Sequence, residues 1–230
     1  MSDLTLAIES SNPSSGGSPG VAIGLVTGSE VEILDSEPLG TGERHDDLLM
    51  PAIARLMSRV EKDPGSLDRV VCSIGPGGFT GLRIATAAAN MIALSAKARL
   101  FGVPSAWVAA AQTELNEPFA VALACKGDTC YLTCFGADRL PISEGSIVDP
   151  DGIAGLGIST LFADIFLPES IRAACEAANI ALEPPCFSAA CCLQLAGQAQ
   201  EIHVGQLAPL YGREAEAVTK WRQLHPKRGS

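Results

Sequence analysis

Apolar and polar positions change period several times along the chain, and each change marks a predicted element. Residues 4–8, Leu-Thr-Leu-Ala-Ile, form a short apolar run with a strand's alternation, ended by Glu9-Ser10-Ser11-Asn12-Pro13. Residues 14–20 are Ser, Gly and Pro and predict a loop. Runs at 21–26 and 31–34, joined by a turn at Thr27-Gly28-Ser29, predict a hairpin, so the chain opens as an antiparallel meander. Over 44–60 the period becomes helical. Leu48, Leu49, Ala52, Ile53, Leu56, Met57 and Val60 share one face, and Pro51 falls in the opening turns. Residues 69–74 are apolar enough for a central strand. The run Gly75-Pro76-Gly77-Gly78-Phe79-Thr80-Gly81 predicts a tight turn feeding a helix over 80–97, with Thr80 as its N-cap.

That helix is unusual in its pattern. Arg83, Thr86, Asn90 and Lys97 confine the polar positions to an arc of roughly 60°. A stripe of Gly81, Ala85, Ala88, Ile92 and Ser95 is small or apolar, and Ile84, Met91 and Leu94 form a further apolar edge. A helix apolar nearly all round is expected to be covered on two sides. Its own sheet covers one; a second layer or a partner must cover the other, and the small stripe suits a close helix crossing. Beyond it the pattern predicts a strand at 99–103, a short helix at 104–112, strands at 119–125, 129–135 and 142–148, helices at 169–178 and 189–200, and a tail helix at 214–224. The expected architecture is α/β. One lobe spans residues 1–104, with 205–230 packing back on it, and a smaller lobe spans 105–204; each has a mixed sheet.

Composition narrows the function. With 47% apolar residues, the 230-residue chain has ample surface to bury and is not a disordered segment. Its formal net charge of -10 argues against gripping nucleic acid with its own surface, because phosphates require a basic patch. No run suits a membrane span. The start Met1-Ser2-Asp3-Leu4 lacks a basic lead-in, so a cytoplasmic protein is expected. Eight cysteines and three scattered histidines, His45, His203 and His225, show neither a CxxC pair nor a zinc spacing, so buried reduced thiols are expected and no metal site.

Two places could carry chemistry. In the glycine-rich turn, Gly75, Gly77, Gly78 and Thr80 at a helix N-terminus, with Arg83 one turn in, could hold an anion. A tight turn where strand and helix backbones approach closely accounts for the same glycines equally well. The run has neither the Lys-Ser/Thr of a Walker loop nor the dinucleotide glycine spacing. Glu9 with Ser10 and Ser11 could hold a phosphate or a metal-bound water, although a loop carboxylate bonded to nearby hydroxyls is the commoner arrangement. Asp149 and Asp151 flank Pro150 ahead of Gly152 and read as a turn.

Several runs taken in order resemble the TsaB (YeaZ) family: Thr5-Leu6-Ala7-Ile8-Glu9-Ser10-Ser11, Arg44-His45 ahead of Leu49-Met50-Pro51, and Gly75-Pro76-Gly77-Gly78-Phe79-Thr80-Gly81-Leu82-Arg83-Ile84. The tail Pro209-Leu210-Tyr211-Gly212-Arg213-Glu214-Ala215 is similar to the family's closing motif. The resemblance implies a reduced, two-lobed actin-like, Hsp70-like ATPase (ASKHA) fold. It implies a non-catalytic subunit that pairs with and activates TsaD, which transfers a threonylcarbamoyl group to a tRNA adenosine beside the anticodon. TsaE, an ATPase, joins them, ATP is used by the complex, tRNA is met through the complex, and self-association is expected. The family pairs through its first two helices, which places Leu49, Ile53, Leu56, Gly81, Ala85, Ala88 and Ile92 at the partner interface. TsaD holds metal with a close histidine pair on one helix, and no histidine here has such a neighbour. Two departures bear on nucleotide use. Glu9 stands where the family usually has Asp. The family's Asp-Ala-Arg stretch is replaced by Leu123-Ala124-Cys125-Lys126-Gly127-Asp128, with Tyr131 nearby. A small ATPase or kinase of the same fold, or a metallopeptidase, are the competing readings.

Overall fold

The alternation at the start of the chain produces three long strands, as predicted, with one short strand between them. The computed structural model describes residues 2–12, 16–40 and 45–212, together with Trp221 and His225. Strand β1 (Asp3–Glu9) pairs antiparallel with β3 (Gly20–Thr27), and β3 pairs antiparallel with β4 (Glu30–Pro38). Residues 16–18, expected as loop, form a short strand β2 (Gly16–Ser18). Helix α1 (His45–Arg59) follows, then β5 (Arg69–Gly75), α2 (Phe79–Ala96), β6 (Arg99–Pro104) and α3 (Ser105–Ala111). Parallel pairing of β5 with both β1 and β6 places it inside the sheet, as its apolar run requires.

The alternation along β1 divides two cores. Leu4, Leu6 and Ile8 point to the side covered by α1 and α2, where they meet Leu49, Ile53, Leu56, Ala85 and Ala89. Ala7 and Ala22 point to the opposite side, where their small size leaves room for Cys192 and Leu193.

A second sheet lies beyond that opposite face. It contains β7 (Phe119–Lys126), β8 (Thr129–Phe135), β9 (Ser146–Val148), β10 (Thr160–Ala163) and, after helix α4 (Glu169–Ala177), β11 (Ala181–Glu183), in the order β11-β10-β7-β8-β9. Phe119, Val121 and Leu123 face the first sheet's core, while Ala120 and Ala122 face Ile171 and Cys175 of α4. The chain then forms β12 (Cys186–Ser188), which pairs with β2, helix α5 (Ala189–Gln194), and β13 (Gln200–Ile202).

Three predicted elements change. The helix expected over 189–200 stops at Gln194, and residues 200–202 add an antiparallel strand to the exposed edge of β6. That pairing satisfies edge backbone groups that a continued helix would leave open. The first sheet therefore runs β13-β6-β5-β1-β3-β4, and the segment 189–202, assigned from sequence to the second lobe, packs on and pairs with it. Only 146–148 of the strand expected at 142–148 pairs. Thr80 does not cap α2. The helix begins at Phe79 after Gly78, a residue with no side chain to cap it, and the Gly78 N–H donates to the Ser11 carbonyl at 2.6 Å. The predicted tail helix at 214–224 lies largely outside the described residues. No helix among the described residues is long and apolar enough to cross a membrane.

Candidate functional site

The end of β1 and the turn after β5 meet at one point, and the meeting is made of backbone. The Gly78 N–H donates to Ser11 O, and Asn12 Nδ2 donates to Pro76 O at 3.3 Å. A Cβ on Gly77 would stand 2.0 Å from Ser11 O. Gly75, at φ +103°, lies against Leu82 and the Leu210 carbonyl. Of the two readings of the glycine run, the close approach of backbones is the arrangement found. At least one amide of the turn, that of Gly78, is spent on Ser11 and is not available to an anion.

Glu9 sits beneath this junction, fully buried. Its Oε1 accepts from the Ser11 amide at 2.7 Å and from the Ser11 hydroxyl at 2.6 Å, while Oε2 has no partner in the structure. Burial pushes its carboxyl above the ordinary value of 4.5, against the lowering effect of the Ser11 hydroxyl and amide and the Ser73 hydroxyl. Cys72 and Cys192, also buried, have their thiols pushed up by burial and then by Glu9. Ser73 and Ser105 hydroxyls are paired at 2.8 Å, which ties the ends of β5 and β6 together. No disulfide joins any of the eight cysteines.

A raised folded-state pKa means that Glu9 binds its proton more tightly when the chain is folded. Its contribution to stability is then fully present below pH 4.5 and is lost as the pH rises through the folded value. Glu9→Gln, which cannot ionise, is expected to remove that decline and to exceed the wild type in stability at pH 8. Urea unfolding of both proteins from pH 5 to 9 measures it, and parallel curves would contradict the assignment.

Arg83 is the single charged residue of α2, and it does not point a free guanidinium at the turn. Its Nε donates to the Tyr211 hydroxyl at 2.9 Å, and its guanidinium carbon lies 3.8 Å from the centre of the Phe79 ring. Thr80 is exposed and Thr86 is buried, its hydroxyl returned to the Leu82 carbonyl. Asn90 clasps the chain after β13: its Nδ2 donates to Leu207 O at 2.9 Å and its Oδ1 accepts from Gly205 N at 2.7 Å. With the Leu210 N–H on Ile74 O, these bonds strap residues 205–211 along one edge of α2. Sequence reasoning set 205–230 against the first lobe but did not identify Asn90 as the clasp. The signal available was the lone amide of Asn90 in an otherwise apolar helix.

The helix residues expected at a partner surface separate into two groups. Leu49, Ile53, Leu56 and Ala85 lie in the chain's own core beneath α1 and α2. This corrects their assignment, because side chains 0–6% exposed have no surface to offer. Gly81, Ala88 and Ile92 are half-buried. The face α2 turns outward is instead Phe79, Arg83, Ala87, Met91 and Leu94, with Met91 65% and Leu94 62% exposed. On α1, Met50 is exposed, while Arg55 and Arg59 are occupied by Glu37 and Asp35 of β4.

Two clefts open between the sheets. One, of about 220 Å³, is lined by Asn12, Gly77 and Gly78 on one side and Ala124, Cys125, Asp164 and Phe166 on the other. The other, of about 530 Å³, includes Pro104, Trp107, Tyr131, Thr133 and Glu144 in its lining and has no cationic side chain among the described residues. Burial raises the Tyr131 hydroxyl's pKa and Glu144 adds to it.

Comparison with known proteins adds a partial match to a family model and a likeness in fold. Residues 37–149 match the family model of TsaD, described as tRNA N6-adenosine threonylcarbamoyltransferase. In fold, a Pseudomonas aeruginosa protein described as similar to peptidase YEAZ aligns at a TM-score of 0.64 with 18% identity, covering 92% of this chain and 100% of that one. YeaZ from Pseudomonas aeruginosa aligns at 0.64 and 18%, covering 91% and 99%. The family model covers just under half of the chain, and the chain has the fold of the YeaZ structures. No curated protein matches it in sequence. The family match runs from the end of β4 to β9, including the glycine turn and α2, and the fold likeness extends to nearly the whole chain.

An actin-like fold, which this chain shares with the YeaZ structures, implies a nucleotide and metal held between the sheets, and the residues present do not fit that group. Glu9 is sealed beneath Ser10, Ser11 and Gly77 and does not line the cleft. Across the cleft stand Ala124 and Cys125, and Asp164, half-buried, is also pushed up by burial. Among the described residues no three His, Cys, Asp or Glu gather as a metal site.

Proposed function

We propose that this chain is the non-catalytic partner subunit of a TsaD-family threonylcarbamoyl transferase, binding and activating it for modification of the tRNA adenosine beside the anticodon. The observation that carries this is the outward face of α2, where Tyr211 meets Phe79 and Arg83 at one end and Met91 and Leu94 stay exposed among the described residues. Large exposed apolar patches on folded chains mark interaction sites. The sealed Glu9 supports a holding role, since its carboxyl is buried beneath Ser11 and Gly77 and does not line the cleft. The chain holds no nucleotide itself, and ATP is used by the assembled complex, in which TsaE is the ATPase. An acidic chain serves tRNA chemistry because its partner meets the phosphates. The complex works in the cytoplasm.

The test is co-elution of the purified chain with the TsaD-family protein of its source on size exclusion, together with an ATP hydrolysis assay of the chain alone. Co-elution and no turnover are expected. Turnover by the chain alone would favour the small-ATPase reading instead.

A further inference from the structure

The larger cleft between the sheets shares no residue with the outward face of α2, so the pairing role leaves it unused. Its floor is apolar and includes Ile74 of β5, Ile202 of β13 and Leu210 of the strap. Trp107 of α3 and Tyr131 of β8, both half-buried, add two aromatic walls. Its volume of about 530 Å³ suits a small organic molecule, whose sites run from roughly 300 to 1,000 Å³.

Glycines give the cleft its depth and fix its wall. A Cβ on Gly102 would stand 2.9 Å from Ile202 Cδ1 and 3.2 Å from Ile74 Cγ2, so a side chain there would crowd the floor. A Cβ on Gly145 would stand 2.3 Å from Tyr131 Cε1, and one on Gly212 would stand 2.9 Å from Tyr131 Cβ. Two backbone segments without side chains therefore close on Tyr131 and hold its ring in place. A wall positioned before a ligand arrives lowers the ordering cost of binding.

Charge restricts what can enter. Among the described residues, Glu144 is the one charged member of the lining. Burial and then Glu144 raise the Tyr131 hydroxyl's pKa, which places the carboxylate's field beside that ring. An anion would meet this charge with no cation in the lining to offset it. A cation would meet a carboxylate and two aromatic rings, a combination that attracts ammonium groups.

We infer that this cleft binds a small organic cation, an ammonium group carried on a flat apolar body, with the body against Trp107 and Tyr131 and the charge beside Glu144. The site stands apart from the pairing role, and neither depends on the other. Gly102 and Ile202 belong to the first sheet and Tyr131 and Thr133 to the second, so an occupant touches both and stabilises the folded chain by mass action.

The experiment is isothermal titration of the full chain with phenethylammonium, and with hydrocinnamate, which carries a carboxylate on the same kind of stem. The wild type, Glu144→Gln, Trp107→Leu and Asp151→Asn are compared, each with a urea midpoint to check folding. Asp151 is exposed and does not line the cleft, so its variant controls for the general pull of a chain with net charge -10. Saturable binding of the ammonium and none of the carboxylate are expected. Glu144→Gln and Trp107→Leu are each expected to weaken binding about tenfold, with Asp151→Asn like the wild type. Glu144 is exposed and can be changed without cost to the fold, so the decision rests on that variant. The inference is wrong if the wild type binds neither ion or both alike, or if Glu144→Gln binds the ammonium as the wild type does. Equal weakening by Glu144→Gln and Asp151→Asn would also overturn it, since the attraction would then be that of the acidic surface as a whole.

Discussion

Gly77→Ala is expected to destabilise the chain by about 3 kcal/mol or more, placing it among the most damaging substitutions available. The new methyl group would stand 2.0 Å from the Ser11 carbonyl oxygen, whose position is fixed by the Gly78 N–H at 2.6 Å. Neither side can yield cheaply. Ser11 is tied to Glu9 through its amide and hydroxyl, and Gly77 belongs to the turn that starts α2. Moving Ser11 would also disturb the buried carboxyl, whose outer oxygen already lacks a partner. Urea unfolding measures the loss. Gly155→Ala, where a Cβ meets nothing within 4 Å and the φ is not positive, serves as the control and is expected within about 0.5 kcal/mol of wild type. A wild-type midpoint for Gly77→Ala would show that the junction is not the rigid backbone contact described.

Ala87→Arg is expected to abolish pairing through α2 while leaving the fold intact. Ala87 is exposed and sits one turn from both Arg83 and Met91, so a long cation there enters any helix laid along the face and stands beside an existing one. The neighbouring Ala88 is a poorer probe, because it is half-buried against the chain's own core and a charge there would strain the fold as well. Titration against the TsaD-family protein and a parallel urea curve separate the two effects. Retained binding with an unchanged midpoint would move the interface off α2.

Much of the fold was legible where long runs kept one period. The meander, α1, β5 and α2 follow from alternation and helical spacing, because each buries a continuous face. The short strands at 160–163, 181–183 and 186–188 were not legible. Runs of three or four residues hold no period, and their pairing with β7, with β10 and with β2 is decided by tertiary contact. The site was legible in part. The glycine run announced a close approach but not its partner, since nothing in the spacing of Gly75, Gly77 and Gly78 points to Ser11, more than sixty residues away. On α2, the pattern showed an excess of apolar surface but reversed part of its disposition. Of the small stripe, Ala85 is in the core and Ala88 and Ile92 pack partly against it, while Ser95 is exposed and Met91 and Leu94 turn outward. Periodicity gives the separation of two faces and leaves open which of two apolar faces meets the core.

The central claim, that this chain acts by holding a transferase, is tested most directly by reconstituted tRNA modification. Purified TsaD-family and TsaE proteins of the same source, the threonylcarbamoyl-adenylate donor, ATP and unmodified tRNA are incubated with and without this chain, and modified adenosine is counted. Modification that requires this chain, and is lost with Ala87→Arg but kept with Glu9→Gln, is the predicted result. Equal modification in its absence would contradict the account.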